Sequence, residues 1–145
     1  MLGLKVLNSN MQSCNGGTQI WELNRWYEAT GELKLCKSGY HLTYYPELWK
    51  GTRVFLAEAT EIGQIDTDKF VCRKIQLLKE LSAVETAVFV KSRTELKRKC
   101  SKVGFDFEVI NHQLLLTEKG KDFNNDMQEI LRKFLPHKLW SRILP

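Results

Sequence analysis

The sequence predicts an α+β fold: a mostly antiparallel sheet from the first half, with a β-α-β-β-α unit from the second half packed on it or extending it. Two observations predict this. Residues 33–36 and 53–59 alternate side chains at the period of a strand and are bounded by turn residues. Beyond residue 91, apolar positions recur at helical spacing instead. The texture changes near residues 81–84 without a Gly/Ser/Pro linker, so residues 1–82 and 83–145 are expected to pack as one compact unit.

Each element has its own justification. Leu4, Lys5, Val6 and Leu7 form a short strand ending at Asn8-Ser9-Asn10, and Asn15-Gly16-Gly17 is a turn. Residues 21–28 mix aromatic and polar side chains as a strand closed by Thr30-Gly31. Leu33 and Leu35 should face the core, and Gly39 interrupts their strand as a bulge or close approach requires. Extended structure resumes over residues 40–43, and Pro46 opens a short helix through Trp49. Residues 53–59 give the best strand of this half. The segment FVCRKIQLLKEL, residues 70–81, reads as a strand through Leu78, although Val71, Ile75 and Leu78 would also share a helical face.

In the second half, residues 87–90 read as a buried strand. Ser92 and Glu95 form a capping-box pattern that opens a helix ending at Gly104. Residues 105–109 alternate strictly, and Leu114, Leu115 and Leu116 pair back on them as a hairpin. An amphipathic helix over residues 122–135 places Phe123, Met127, Ile130, Leu131 and Phe134 on one face, and Pro136 stops it. Leu139, Trp140, Ile143 and Leu144 then keep helical spacing, so the tail is expected to dock.

Composition narrows the function. Hydrophobic residues make up 43% and charged residues 27%, a globular balance. Apolar runs stop at three or four residues, far below the ~20 of a membrane span, and no signal peptide is visible, so the cytosol is expected. The four cysteines form no CxxC pair, which favours free, mostly buried thiols over a zinc site. Asp66 and Asp68 lack a third ligand for a metal. Residues 1–82 carry ten Lys/Arg against nine Asp/Glu, and residues 83–145 carry twelve against eight. The surplus suits an acidic partner, nucleic acid included.

Two stretches carry the candidate sites. In the helix opened at Ser92, Leu96, Cys100 and Val103 take the buried stripe, leaving Arg93, Lys97, Arg98, Lys99 and Lys102 to track phosphates or simply to meet solvent. The segment LKLCKSGYHLTYYPELW gathers Tyr40, Tyr44, Tyr45 and Trp49, aromatics with polar tips that suit a partner-binding surface or ordinary packing. Within it, His41 fits a half-buried, backbone-bonded ring as readily as a reactive one, and Cys36 a small apolar residue.

Cys36, Gly39-Tyr40-His41, Val54, Ala57-Glu58, Lys69 and the run Ile75 to Leu78 resemble a poorly characterised group of small phage and bacterial proteins, over residues 4 to about 81. The order GYHLT-x-x-PELW followed by VFLAEA is similar to the central strands of ADP-ribosyltransferases. That resemblance implies NAD as cofactor, with His41 or Tyr40 stacked on nicotinamide, Thr43 lining the pocket and Glu108 as the late activating glutamate. QLLLTEKGKDF, with residues 93–102 upstream, resembles the wing and following helix of winged-helix DNA-binding proteins. The expected function is a small accessory protein of phages or mobile elements, acting in host takeover or anti-defence. It would work by binding nucleic acid or a host nucleoprotein, with no catalytic residue, cofactor or metal. The alternatives are the NAD-using enzyme and a homo-oligomeric assembly protein joined through its C-terminal helix and tail.

Overall fold

The computed structural model describes residues 1–14 and 16–139. Among these residues, five strands form one sheet: β1 (Leu2–Leu7), β2 (Trp26–Glu28), β3 (Tyr40–Leu42), β4 (Arg53–Ile65) and β5 (Phe70–Leu81). Three helices follow, α1 (Ala83–Lys102), α2 (Phe107–His112) and α3 (Glu118–Arg132), and short 3-10 turns occupy Pro46–Leu48 and His137–Leu139. The fold is α+β, and the five strands pair antiparallel in the order β1-β4-β5-β2. No helix among the described residues is long and apolar enough to cross a membrane.

β5 is shared along its length: Phe70 to Cys72 pair with β3, and Lys74 to Gln76 pair with β2. Thr43, the residue after β3, then meets Leu4 of β1 through two backbone bonds of 2.9 and 3.0 Å. The sheet therefore curls until β3 and β1 touch. β4 helps it bend, since its register to β5 shifts twice and Glu61 takes φ +56°. Such bulges increase local twist. The curl leaves all six residues of β1 buried, Lys5 among them.

The other edge of Leu2 is closed by a side chain. The Gln128 amide of α3 accepts the Leu2 N–H through Oε1 at 2.6 Å and donates from Nε2 to the Leu2 carbonyl at 2.7 Å. It stands in for one residue of a missing strand, which satisfies groups that would otherwise be stranded at a buried edge. Phe123, Met127 and Leu131 of the same helix are buried, and one core cluster runs from Leu2 and Phe70 to Leu131 and Leu135. The ring pairs Phe107–Phe123 at 5.1 Å and Tyr44–Phe70 at 5.5 Å lie within it.

The second half holds helices joined by turns and no strand among its described residues, and the three strands expected there are corrected. Residues 87–90 lie inside α1, which starts at the Ser82–Glu85 capping box rather than at Ser92. Ser82 Oγ accepts the Glu85 N–H at 3.1 Å, and Glu85 Oε1 accepts the Ser82 N–H at 3.1 Å. Phe89 points inward while Val84 and Val88 are exposed, so a helix disperses the apolar run around its axis. Residues 105–109 do not make a strand either: Asp106 caps α2 by accepting the N–H groups of Glu108 and Val109, burying Phe107, Ile110 and Leu114 at helical spacing. Leu115 and Leu116 are exposed, and Thr117 caps α3 through the Gly120 N–H. α3 thus begins four residues before the expected start at Asp122.

In the first half the strand expected over residues 33–36 is a turn with a single Lys34–Ser38 bridge, because Cys36 and Gly39 both take positive φ. The strand expected at residues 21–28 shortens to β2. Pro46 opens its short helical turn as expected. Trp140, Ile143 and Leu144, the tail residues expected to dock, lie outside the described residues; Leu139 packs against the core.

Candidate functional site

Lys5 is the starting point of the site. β1 reads Leu-Gly-Leu-Lys-Val-Leu, and its one charged side chain is only 5% exposed. Its Nζ donates to the His41 carbonyl at 3.1 Å and lies 5.2 Å from the centre of the Trp21 ring. Burial presses its pKa down to about 8.

His41 is the middle residue of β3. Its Nε2 accepts the Cys36 N–H at 2.8 Å, and the Gly39 backbone faces the ring and favours its protonated form. Burial, with Lys5 and Lys69 nearby, lowers its pKa to about 4, so the imidazole is neutral. Gly39 makes this geometry possible: at φ +100°, an added Cβ would lie 2.6 Å from Val71 and 2.8 Å from Leu33. Cys36, held at φ +66°, is exposed and lies beside Lys69, whose pKa it raises.

These groups share a cleft of about 580 Å³ with Lys37, Tyr40, Trp21, Trp49, Gln19 and the Gly16–Gly17 turn. The size falls in the range of small-molecule sites, roughly 300–1,000 Å³. Three lysines line it, and no Asp or Glu does among the described residues. Two further donors, Gln19 Nε2 and Trp49 Nε1, are buried with no hydrogen-bond partner among those residues. Tyr40 packs edge-on to Trp21 at 5.2 Å and donates its hydroxyl to Gln19 Oε1 at 3.4 Å. The lining is thus rich in donors and aromatic surface and poor in acceptors.

Of the aromatic residues singled out in the sequence, Tyr40 and Trp49 line this cleft and two do not. Tyr44 is a core residue: its hydroxyl donates to Asn124 at 2.5 Å and accepts from Gln128 at 2.9 Å. Tyr45 lies under the Arg93 guanidinium at 4.4 Å and lines a separate groove with Lys97, Phe107 and Glu108. Thr43, expected to line an NAD pocket, is buried with its hydroxyl on the Asp68 carbonyl. Glu108 sits in α2, exposed and in the second groove, so the structure does not bring it together with His41.

The basic stretch of α1 is divided. Arg93 is 7% exposed and committed, donating to the Tyr44 carbonyl at 2.7 Å and pairing with Glu47 at 2.6 Å. Lys97 lies 4.9 Å from the centre of the Phe107 ring. Lys99 turns towards Asp126 and Glu129 of α3, while Arg98 and Lys102 are exposed. The expected outward-facing surface therefore loses Arg93, because the apolar contacts of Phe89 set that side of the helix inward. No cluster of three or more His, Cys, Asp or Glu able to hold a metal occurs among the described residues.

Lys5, Lys37, Gln19 and Trp21 were not among the residues singled out from the sequence. A lysine centred in an apolar strand is the signal that could have found the first. No curated protein and no solved structure matches the chain. Residues 1–88, which among the described residues carry all five strands and the full lining of the cleft, match the family described as a domain of unknown function, DUF7666, and the chain belongs to that family.

Proposed function

We propose that this chain is a small accessory protein that binds nucleic acid through the cleft and does no chemistry on it. Single strands suit the lining best. Lys37 and Lys69 supply cations for backbone phosphates, and Tyr40 and Trp49 supply rings for unpaired bases. The observation that carries the reading is the cleft's charge: three lysines and two partnerless buried donors, with no carboxylate among the described lining residues. An anion with many acceptor oxygens answers each of these. Against the NAD-using alternative, Glu108 and His41 line separate cavities. The resemblance of the first half to small phage and bacterial proteins fits an accessory role in a bacterial cytosol.

The exposed pair Arg98 and Lys102 on α1 is the second candidate surface. Fluorescence anisotropy with a labelled single-stranded oligonucleotide, over a series of salt concentrations, decides between them. Lys37→Glu with Lys69→Glu should weaken binding at least about tenfold and flatten the log–log salt slope by about 1.4, the loss of two phosphate contacts to a single strand. Arg98→Glu with Lys102→Glu should change affinity by less than about threefold. The reverse ranking moves the site to α1, and no binding at low salt ends the proposal.

A further inference from the structure

We infer that the cleft recognises a terminal phosphate monoester, with Lys5 as the group that distinguishes the end of a strand from its interior. The inference rests on the nucleic-acid reading above and deepens it.

The cleft is not uniformly basic. Lys37 is exposed, whereas Lys5 is almost wholly shielded and yet borders the cavity. Its ammonium has three protons to donate, and among the described residues it meets the neutral His41 carbonyl at 3.1 Å and the face of the Trp21 ring, neither of which carries a charge. A buried ammonium without a counter-ion is costly; the lowered pKa of Lys5 answers part of that cost, and a pairing anion would answer the rest. No Asp or Glu lining the cleft among the described residues supplies one. The imidazole beside it is neutral and already holds the Cys36 N–H, so it offers no negative charge.

Two chemical differences make a terminal phosphate the better match. An internal phosphodiester carries one charge, and its two ester bonds must leave the site in different directions. A terminal monoester carries close to two charges at neutral pH and keeps three unesterified oxygens, so it can enter end-on. Lys5, Lys37 and Lys69 balance such a dianion more closely than a monoanion. The buried donors Gln19 Nε2 and Trp49 Nε1 lie on the same lining and suit the extra oxygens or the adjoining sugar. The monoester could belong to an oligonucleotide or to a free nucleotide; the chemistry recognised is the same.

The test is a competition titration of the full chain with four probes: a 5′-phosphorylated single strand, the same strand with a 5′-hydroxyl, the same strand with a 3′-phosphate, and a nucleoside 5′-monophosphate. At least one phosphorylated end should bind about tenfold or more tightly than the 5′-hydroxyl strand, the scale of a charge-assisted contact. Lys5→Met, of similar length and uncharged, should reduce that ratio to about twofold or less. Equal affinity of all strands in the wild-type chain overturns the end-recognition inference while leaving nucleic-acid binding intact. Binding of the mononucleotide with no binding of any strand supports monoester recognition and overturns the nucleic-acid reading instead. Should Lys5→Met fail to fold by circular dichroism, the wild-type ratio alone decides.

Discussion

At the scale of single residues, two buried bases leave a mark on the stability of the whole protein. His41 faces Lys5 from β1, Lys69 just before β5, the Cys36 N–H and the Gly39 backbone, and its pKa falls from 6.5 to about 4. Well above pH 6.5 the ring is neutral in folded and unfolded chains alike. As pH falls towards 4, the unfolded chain takes up a proton that the folded ring refuses, so stability is lost across that window, by at most about 3 kcal/mol and less where water reaches the half-buried ring. Lys5 acts at the alkaline end. Between about 8 and 10.5 the folded amine has shed its proton while the unfolded one keeps it, so Lys5 contributes stability that rises with pH, opposed above pH 9 by the neighbouring Cys72 thiol, whose pKa burial pushes up to about 12. Urea unfolding should show the acid slope and a rise between about pH 8 and 9, the latter absent in Lys5→Met; a flat profile across both windows would contradict the burial of these groups.

Elements show which parts of the fold the sequence could disclose. β1, β4 and β5 were readable because apolar residues with strand propensity lie between turn residues. Residues 87–90 and 105–109 were misread because short apolar runs fit strands and helices equally, and the deciding residues are polar ones just upstream. Ser82, Asp106 and Thr117 each cap a helix, and none stands out against the apolar pattern it precedes. Of the site, Tyr40, His41 and Trp49 were visible as an unusual local density. Lys5 and Lys69 were not read as site residues, since only the curl of the sheet brings positions so distant in the chain to one cavity. Gln128 could not be read at all, because its role depends on a buried strand edge. Gln128→Leu keeps the volume and removes three hydrogen bonds, leaving the Leu2 N–H and carbonyl stranded. A loss of about 3–5 kcal/mol in urea unfolding is expected, from roughly 1–3 kcal/mol for each orphaned group. A loss below about 1 kcal/mol would mean that the edge finds another partner.

For the molecule as a whole, the family match ends inside α1, yet the core does not end there. Phe107, Ile110, Leu114, Phe123, Met127 and Leu131 share one buried cluster with Leu2, Tyr44 and Phe70 of the matched region. A fragment of residues 1–88 would expose that apolar surface and lose the Gln128 contacts to Leu2. It should show no cooperative thermal transition by circular dichroism; a sharp melt would show that the matched region folds unaided.

The meeting of Leu4 with Thr43 has a mechanical corollary. Those two backbone bonds lie one residue from Lys5 and two from His41, so they rivet the opposing walls of the cavity at its base. Parting the walls that carry Lys5 and His41 would mean opening this seam between the first strand and the third. The floor of the cavity is therefore set when the first strand meets the third, and a guest meets Lys5 and His41 already held at the spacing that folding gave them.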